Sequence, residues 1–212
     1  MSLNTYYEVL TPNDVEETLL CSASAFTKGE PTTTAVGATV EEVHYLMEII
    51  CQACVEEGLS VIAKDQKTDQ IIGLVICKDF LSHFSQEGMA KVSPALLSAF
   101  SIFEKLENDY KAQHPVTRGE LFHLFSLAVL EPFRLSNIAT QLVLEAHQLA
   151  QKHHFKGVIS QVSNPISQHI TLNKFGYEEL DAISYQDFEY QGRKILSSIT
   201  ETDSCKLVIK YL

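Results

Sequence analysis

No apolar run in this sequence approaches the roughly 20 residues needed to cross a bilayer, which argues against a membrane-spanning helix and against a membrane partner. The N-terminus, Met1-Ser2-Leu3-Asn4, lacks the charged-then-apolar layout of a secretion signal, and the expected location is cytoplasmic. Basic charge is scarce: 16 lysines and arginines face 27 aspartates and glutamates, for a formal charge of -11 and a pI near 5.1. Nucleic acid is therefore not an expected partner, because its phosphates need a basic surface to displace counterions. An acidic surface draws cationic amines, although the same charge is ordinary solubility chemistry. No low-complexity tract and no repeat period occur, which removes solenoids and propellers. The 5 cysteines (Cys21, Cys51, Cys54, Cys77, Cys205) are an odd number among apolar neighbours, so reduced, buried thiols are expected rather than a disulfide framework. Cys51 and Cys54 form a CxxC pair inside an amphipathic helical stretch. No second pair and no His-x-x-x-His follows, so no metal site is expected.

What is present suits a single domain, 1–212, since a chain of 212 residues that is 45% hydrophobic can bury its own core. Residues 5–10 read as a strand, and Thr11-Pro12-Asn13-Asp14 starts a helix with a Thr cap and Pro at its first position. Gly29 and Pro31 break that helix within residues 27–32. A second helix starts at Thr39, where Thr39 and Glu42 have capping-box spacing, and stops near Gly58. Residues 59–64 and 71–78 read as an antiparallel hairpin, and a helix follows from Ser93-Pro94 to about Ala112. Residues 121–129 are almost continuously apolar, as in a central strand covered on both faces. A helix over 135–154 and a strand over 157–162 complete a parallel crossover. A short helix over 167–174 and strands over 177–185, 188–195 and 206–211 close the chain. The fold class is α/β (α+β): a mixed, mostly antiparallel sheet with a central parallel strand pair, flanked by helices.

The segment between the central strand and its helix, residues 129–140, is where a ligand phosphate fits, because a helix N-terminus offers unpaired N–H groups and partial positive charge. Here the sequence resembles the GNAT superfamily of acyl-CoA-dependent N-acyltransferases, whose loop reads Arg/Gln-x-x-Gly-x-Gly/Ala after a strand ending Val-x-Pro. Val129, Pro132, Arg134 and Ala139 fit roughly. Asn137 stands at the first glycine, and asparagine tolerates a left-handed backbone better than most residues. The resemblance implies acetyl-CoA bound by Leu127, Ala128, Val129, Arg134, Leu135, Ser136, Asn137, Ile138, Ala139 and Thr140. Asn173-Lys174-Phe175-Gly176-Tyr177 is similar to the end of the superfamily's last helix. That helix usually carries a tyrosine that protonates the departing thiolate; none occurs from 164 to 176, which leaves Ser167, Thr171 or water.

Two further segments resemble the arylalkylamine N-acetyltransferases, especially the insect dopamine type: Tyr185 to Lys194, like a Tyr-x-Asp-Tyr hairpin, and Phe26-Thr27-Lys28-Gly29-Glu30-Pro31, like Phe-x-x-x-Glu-Pro. In that group the glutamate is the catalytic base, which implies Glu30. His123-Leu124-Phe125-Ser126-Leu127-Ala128-Val129 is similar to the His-x-His-x-Leu-Ala-Val of vertebrate members, with only the first histidine kept. His123 is thus a second candidate base, although a lone histidine on an apolar strand is more often a hydrogen-bonded core residue. The implied reaction is transfer of acetyl from acetyl-CoA to a primary amine by direct attack. Backbone N–H groups at Ala128 or Val129 would polarise the carbonyl, and Phe80, Phe84, Tyr185, Phe188 and Tyr190 either line an amine pocket suited to an arylalkylamine or belong to the core. The alternatives are a non-catalytic acyl-CoA sensor of the same fold and an interaction module without cofactor. A homodimer is compatible with the sequence.

Overall fold

The structure, a computed structural model, describes residues 4–212; Met1 to Leu3, part of the segment read above for a leader, lie outside the described residues. Strand β1 (Thr5–Val9) leads through a 3-10 turn at Pro12–Asp14 into α1 (Val15–Gly29), α2 (Pro31–Ala35) and α3 (Val40–Val55). The hairpin of β2 (Val61–Asp65) and β3 (Ile71–Asp79), the short α4 (Gln86–Met89), and α5 (Pro94–Gln113) follow. Then come β4 (Leu121–Val129), α6 (Ile138–Lys152), β5 (Gly157–Val162), α7 (Pro165–Gln168), β6 (Glu178–Ser184) and β7 (Ser204–Tyr211). These strands form one sheet in the order β1-β2-β3-β4-β5-β7-β6. In it β4 and β5 run parallel, and every other neighbouring pair is antiparallel.

The helices form where their caps and apolar spacing direct. Thr39 and Glu42 make the expected reciprocal capping box on α3, and Ser93 caps α5 through the Leu96 N–H. α1 and α3 pack Leu19, Ala23, Leu46 and Ile50 against Leu74 and Ile76 on one face of the sheet. On the other face, α6 presses Leu142, Val143 and Ala146 against Ile72, Val75 and Phe122. β3 is buried along its whole length, the consequence of being covered on both faces. At Gly73 an added Cβ would stand 3.1 Å from Ile138 Cγ2 and 3.2 Å from Leu142 Cδ1. That close approach seats the start of α6 directly on the sheet.

Two irregularities open the sheet where a ligand could enter. Opposite β3, the register passes from Ile76/Ser126 to Cys77/Leu124 and leaves Phe125 without a counterpart, a bulge that re-aims the following side chains. β4 and β5 are in register only at Leu121/Gly157, Phe122/Val158 and His123/Ile159. Beyond those pairs the strands part into a V.

Differences from the sequence expectation lie in short, polar stretches. α1 runs on through Thr27 and Lys28 to Gly29, its last turn closed by the Glu30 N–H donating to the Phe26 carbonyl. Pro31, fixed in φ and lacking an N–H, starts α2 there instead of ending order. The expected strand over 188–195 is a turn region whose one bridge joins Tyr190 and Arg193. The helix expected over 167–174 begins at Pro165 and continues as a π-type turn, His169–Lys174.

All 5 cysteines are buried and free, and no group of three or more metal-capable side chains occurs among the described residues. Burial pushes the thiols of Cys21, Cys51 and Cys54 up to about 12, and those of Cys77 and Cys205 well above the ordinary value. Thiol reagents react with the thiolate. The native protein at neutral pH is therefore expected to leave a chromogenic thiol reagent unreacted over minutes, and guanidinium to release all 5 thiols; rapid native labelling would contradict the burial.

Candidate active site

A cavity of about 800 Å³ occupies the V between β4 and β5 and extends beneath α1, α3 and α5. Its floor is the diverging strands, with Leu124 to Val129 on one side and Ser160 to Asn164 on the other. Ser160 Oγ spans the narrow end, donating to the Leu124 carbonyl at 2.8 Å.

Glu30 sits at the junction of α1 and α2 and is the N-cap of α2, in extended conformation (φ -101, ψ 116). Its Oε2 accepts from the Thr33 N–H at 2.8 Å, the Thr32 hydroxyl at 2.6 Å and the Thr33 hydroxyl at 3.1 Å. Its Oε1 is buried without a protein partner. One oxygen thus fixes the carboxylate, and the other has no protein partner. Glu30 is 8% exposed, lies in the cavity wall, and follows Gly29, where the Arg134 guanidinium is so close that an added Cβ would meet it at 2.8 Å.

At the wide end, the 3-10 turn Glu131–Phe133 carries the chain from β4 to α6. Leu135 and Asn137 have φ of 69 and 65, so Asn137 adopts the left-handed conformation expected of a residue in a glycine position. α3 and α5 are capped by side chains, but α6 is not. Its first N–H groups, together with its dipole, face a cavity wall that also contains Arg134 and Lys174. Lys174 Nζ is fixed by donating to Thr140 Oγ1 at 3.0 Å. These residues fit a diphosphate: free amides, a small Ala139 and two cations. Of the ten residues that the resemblance implied for the cofactor, Leu127, Ala128, Val129, Arg134, Leu135, Asn137, Ile138, Ala139 and Thr140 line the cavity. Ser136 does not; its hydroxyl turns back to the Phe133 carbonyl.

His123 is fully buried beneath the narrow end, outside the cavity lining. Its Nε2 lies 2.7 Å from Gln161 Oε1, and its ring packs edge-on against Phe80 at 5.4 Å and Phe125 at 5.5 Å. Burial, and then the nearby Lys78 ammonium, push its pKa down to about 3. A neutral imidazole here donates to Gln161 and holds that amide. Ser167 and Thr171 both line the cavity, but their hydroxyls are engaged: Ser167 donates to the Asn164 carbonyl at 3.0 Å and Thr171 to the Ser167 carbonyl at 2.9 Å.

Of the two places the sequence allowed for its five candidate aromatics, the structure puts them with the core. Phe80, Tyr185 and Phe188 are core residues, and Phe84 and Tyr190 pack on the core's edge, outside the lining. The aromatic wall is instead Phe26 from α1, Phe100 and Phe103 from α5, and Phe125 at the bulge, with Val43, Leu46 and Met47 from α3. Phe100 and Phe103 are three apart on one helix, a spacing that puts both rings on one side. Gln161 and Ser126, which the sequence reading did not single out, also line the cavity; neither belongs to a recognisable motif.

No protein-family model matches the sequence. Among solved structures, the chain is similar to the C-terminal condensation domain of Ebony in complex with beta-alanyl-dopamine, with a TM-score of 0.88 and 18% identity over 99% of this chain and 100% of that one. It is also similar to arylalkylamine N-acetyltransferase 2 from Aedes aegypti, with a TM-score of 0.81 and 17% identity over 98% of this chain and 99% of that one. A third similar structure is the Drosophila melanogaster polyamine N-acetyltransferase that forms N-acetylagmatine, with a TM-score of 0.75 and 15% identity over 99% and 100% of the two chains. The chain therefore shares the fold of these structures, as the sequence resemblance implied.

Proposed function

We propose that this protein is an N-acetyltransferase that moves an acetyl group from acetyl-CoA to a primary amine, with an arylalkylamine as the favoured acceptor class. The carrying observation is the union, in one cavity, of an uncapped helix N-terminus suited to a diphosphate and a carboxylate with one oxygen unpaired. The fold shared with amine acetyltransferases supports the same reading. Acetyl-CoA supplies the activated acyl group as a thioester. The amides of Ile138, Ala139 and Thr140, with Arg134 and Lys174, would hold its phosphates.

The acceptor would lie among Phe26, Phe100, Phe103 and Phe125, which suit an aromatic body better than a polyamine's chain of charges. An alkylamine is mostly protonated at neutral pH, with a pKa near ~10, so it must lose a proton before it can attack. Glu30 Oε1 takes that proton, directly or through one water. The nitrogen then bonds to the thioester carbon, the C–S bond breaks, and the electron pair leaves on sulfur. With an ordinary thiol pKa of about 8.5, that thiolate leaves at neutral pH without a strong acid, and water protonates it. This matches the engaged hydroxyls of Ser167 and Thr171. His123, neutral and outside the cavity lining, serves to position Gln161.

The cofactor end has its own test. Asn137→Gly keeps the left-handed turn and is expected to leave the KM for acetyl-CoA within about twofold. Asn137→Val puts a β-branched residue at a φ of 65, strain on the order of 1–3 kcal/mol, and is expected to raise that KM about tenfold with the KM for the amine little changed. Initial rates at varied acetyl-CoA decide it; equal behaviour of the two variants would remove the loop from cofactor binding.

A further inference from the structure

Among the described residues, three polar side-chain atoms in the cavity wall are buried with no partner: Glu30 Oε1, Ser126 Oγ and Gln161 Nε2. Deprotonation of the amine accounts for the first; the transfer reaction leaves the other two without a role. Ser126 follows the Phe125 bulge on β4. Gln161 lies on β5 two residues beyond the His123/Ile159 pair, where the strands part. Both therefore stand at the closed end of the V, the end away from the start of α6. Strand alternation puts Gln161 on the same face as Ile159, toward α5.

The orientation of Gln161 is fixed from behind. Its Oε1 accepts from His123 Nε2 at 2.7 Å, and the ring of His123 is held between Phe80 and Phe125. The amide N–H2 end is left for something other than protein. Ser126 lines the same cavity, and neither group has a protein partner. An oxygen atom that accepts from Gln161 and also engages Ser126 would complete both.

We propose that Gln161 and Ser126 form an acyl-recognition subsite, which selects donors whose acyl group carries a hydroxyl or carbonyl oxygen a few bonds beyond the thioester carbon. This rests on the transferase reading. With the diphosphate at the start of α6, the donor's arm runs up the V from its wide end, between Val129 and Asn164. Whatever lies beyond the reacting carbon then meets the closed end. The acceptor comes from the side of Phe26, Phe100, Phe103 and Glu30. Bond making and breaking are unchanged: the amine nitrogen bonds to the acyl carbon, the C–S bond breaks, the amine proton goes to Glu30, and the sulfur electron pair leaves with coenzyme A.

The test compares kcat/KM for 3-hydroxybutyryl-CoA and butyryl-CoA with one arylalkylamine, alongside acetyl-CoA. The wild type is expected to favour the hydroxylated donor about tenfold, the discrimination typical of one hydrogen bond to a buried group. Gln161→Leu is expected to bring the ratio to about one, and Ser126→Ala to reduce it. The ratio does not depend on how much of a variant is folded, so a poorly folding variant still gives an answer. A wild-type ratio of one or less, or a ratio preserved in both variants, overturns the proposal. So does a wild-type preference for tyramine over phenethylamine that Gln161→Leu abolishes with the donor ratio intact, since that places the oxygen on the acceptor. Amine-dependent turnover of acetyl-CoA without donor discrimination leaves the transferase reading standing and sinks only the subsite; no turnover with any donor overturns both.

Discussion

Glu30→Gln is expected to lower kcat by about 100- to 1000-fold, within the usual range for loss of a positioned general base. The substitution is close to isosteric. The amide oxygen can still accept from the Thr33 N–H and the hydroxyls of Thr32 and Thr33, so the start of α2 keeps its cap. What is lost is the proton acceptor at Oε1, the buried atom without a protein partner. The KM for acetyl-CoA is expected to change little, because the substitution adds no bulk and leaves Arg134, Lys174 and the start of α6 in place. Glu30→Ala loses the cap as well, at a cost of about 1 kcal/mol, and should show a lower melting temperature along with the lower rate. Steady-state rates, paired with thermal melts of both variants, separate the two effects. A Glu30→Gln variant with wild-type kcat would remove Glu30 as the base.

The second large effect is on stability in acid. His123 and His147 are both buried and neutral, with pKa values pushed down to about 3 and about 4, mainly by burial. His147 is tied to Tyr177, with 2.7 Å between its Nε2 and the Tyr177 hydroxyl oxygen, in the packing of α6 against the sheet. In the unfolded chain both return to an ordinary histidine pKa of about 6.5. Between that value and the folded values the unfolded chain binds more protons, so stability must fall as pH falls through this window. Each histidine contributes a slope of up to about 1.4 kcal/mol per pH unit, fully present only well below 6.5. Above about pH 8 neither contributes appreciably. Urea unfolding at closely spaced pH values is expected to show a plateau near neutrality and a steepening loss from about pH 6 downward. In His147→Gln the slope should be roughly halved. A flat profile between pH 7 and pH 5 would mean that these rings reach water in the folded state.

The parts of this structure that were legible in the sequence are those with long-range periodicity or cap chemistry. The continuous apolar run of β4, the capping box at Thr39 and the crossover through α6 each follow from side chains whose neighbours along the chain reveal their environment. Glu30 was legible only through resemblance, since a glutamate before proline does not by itself say that three donors hold one of its oxygens. The amine pocket was not legible. Phe80, Tyr185 and Phe26 are alike as letters, and the tertiary packing that buries the first two and places the third in the cavity wall joins segments far apart in sequence. The bulge at Phe125 is likewise invisible, because a shift in pairing register against β3 leaves no mark on the apolar pattern of β4. Gln161 gains meaning only from the parting of β4 and β5 and from His123 behind it.

The most direct test of the central claim is release of coenzyme A from acetyl-CoA across a panel of arylalkylamines, polyamines, aminosugars and short peptides. A chromogenic thiol reagent can follow it, because the protein's own cysteines are buried. Release is expected to depend on the amine, to be fastest with arylalkylamines, and to yield a product heavier by one acetyl group in mass spectra. Acetyl-CoA that binds, as seen by calorimetry, but is not consumed with any amine would contradict the claim.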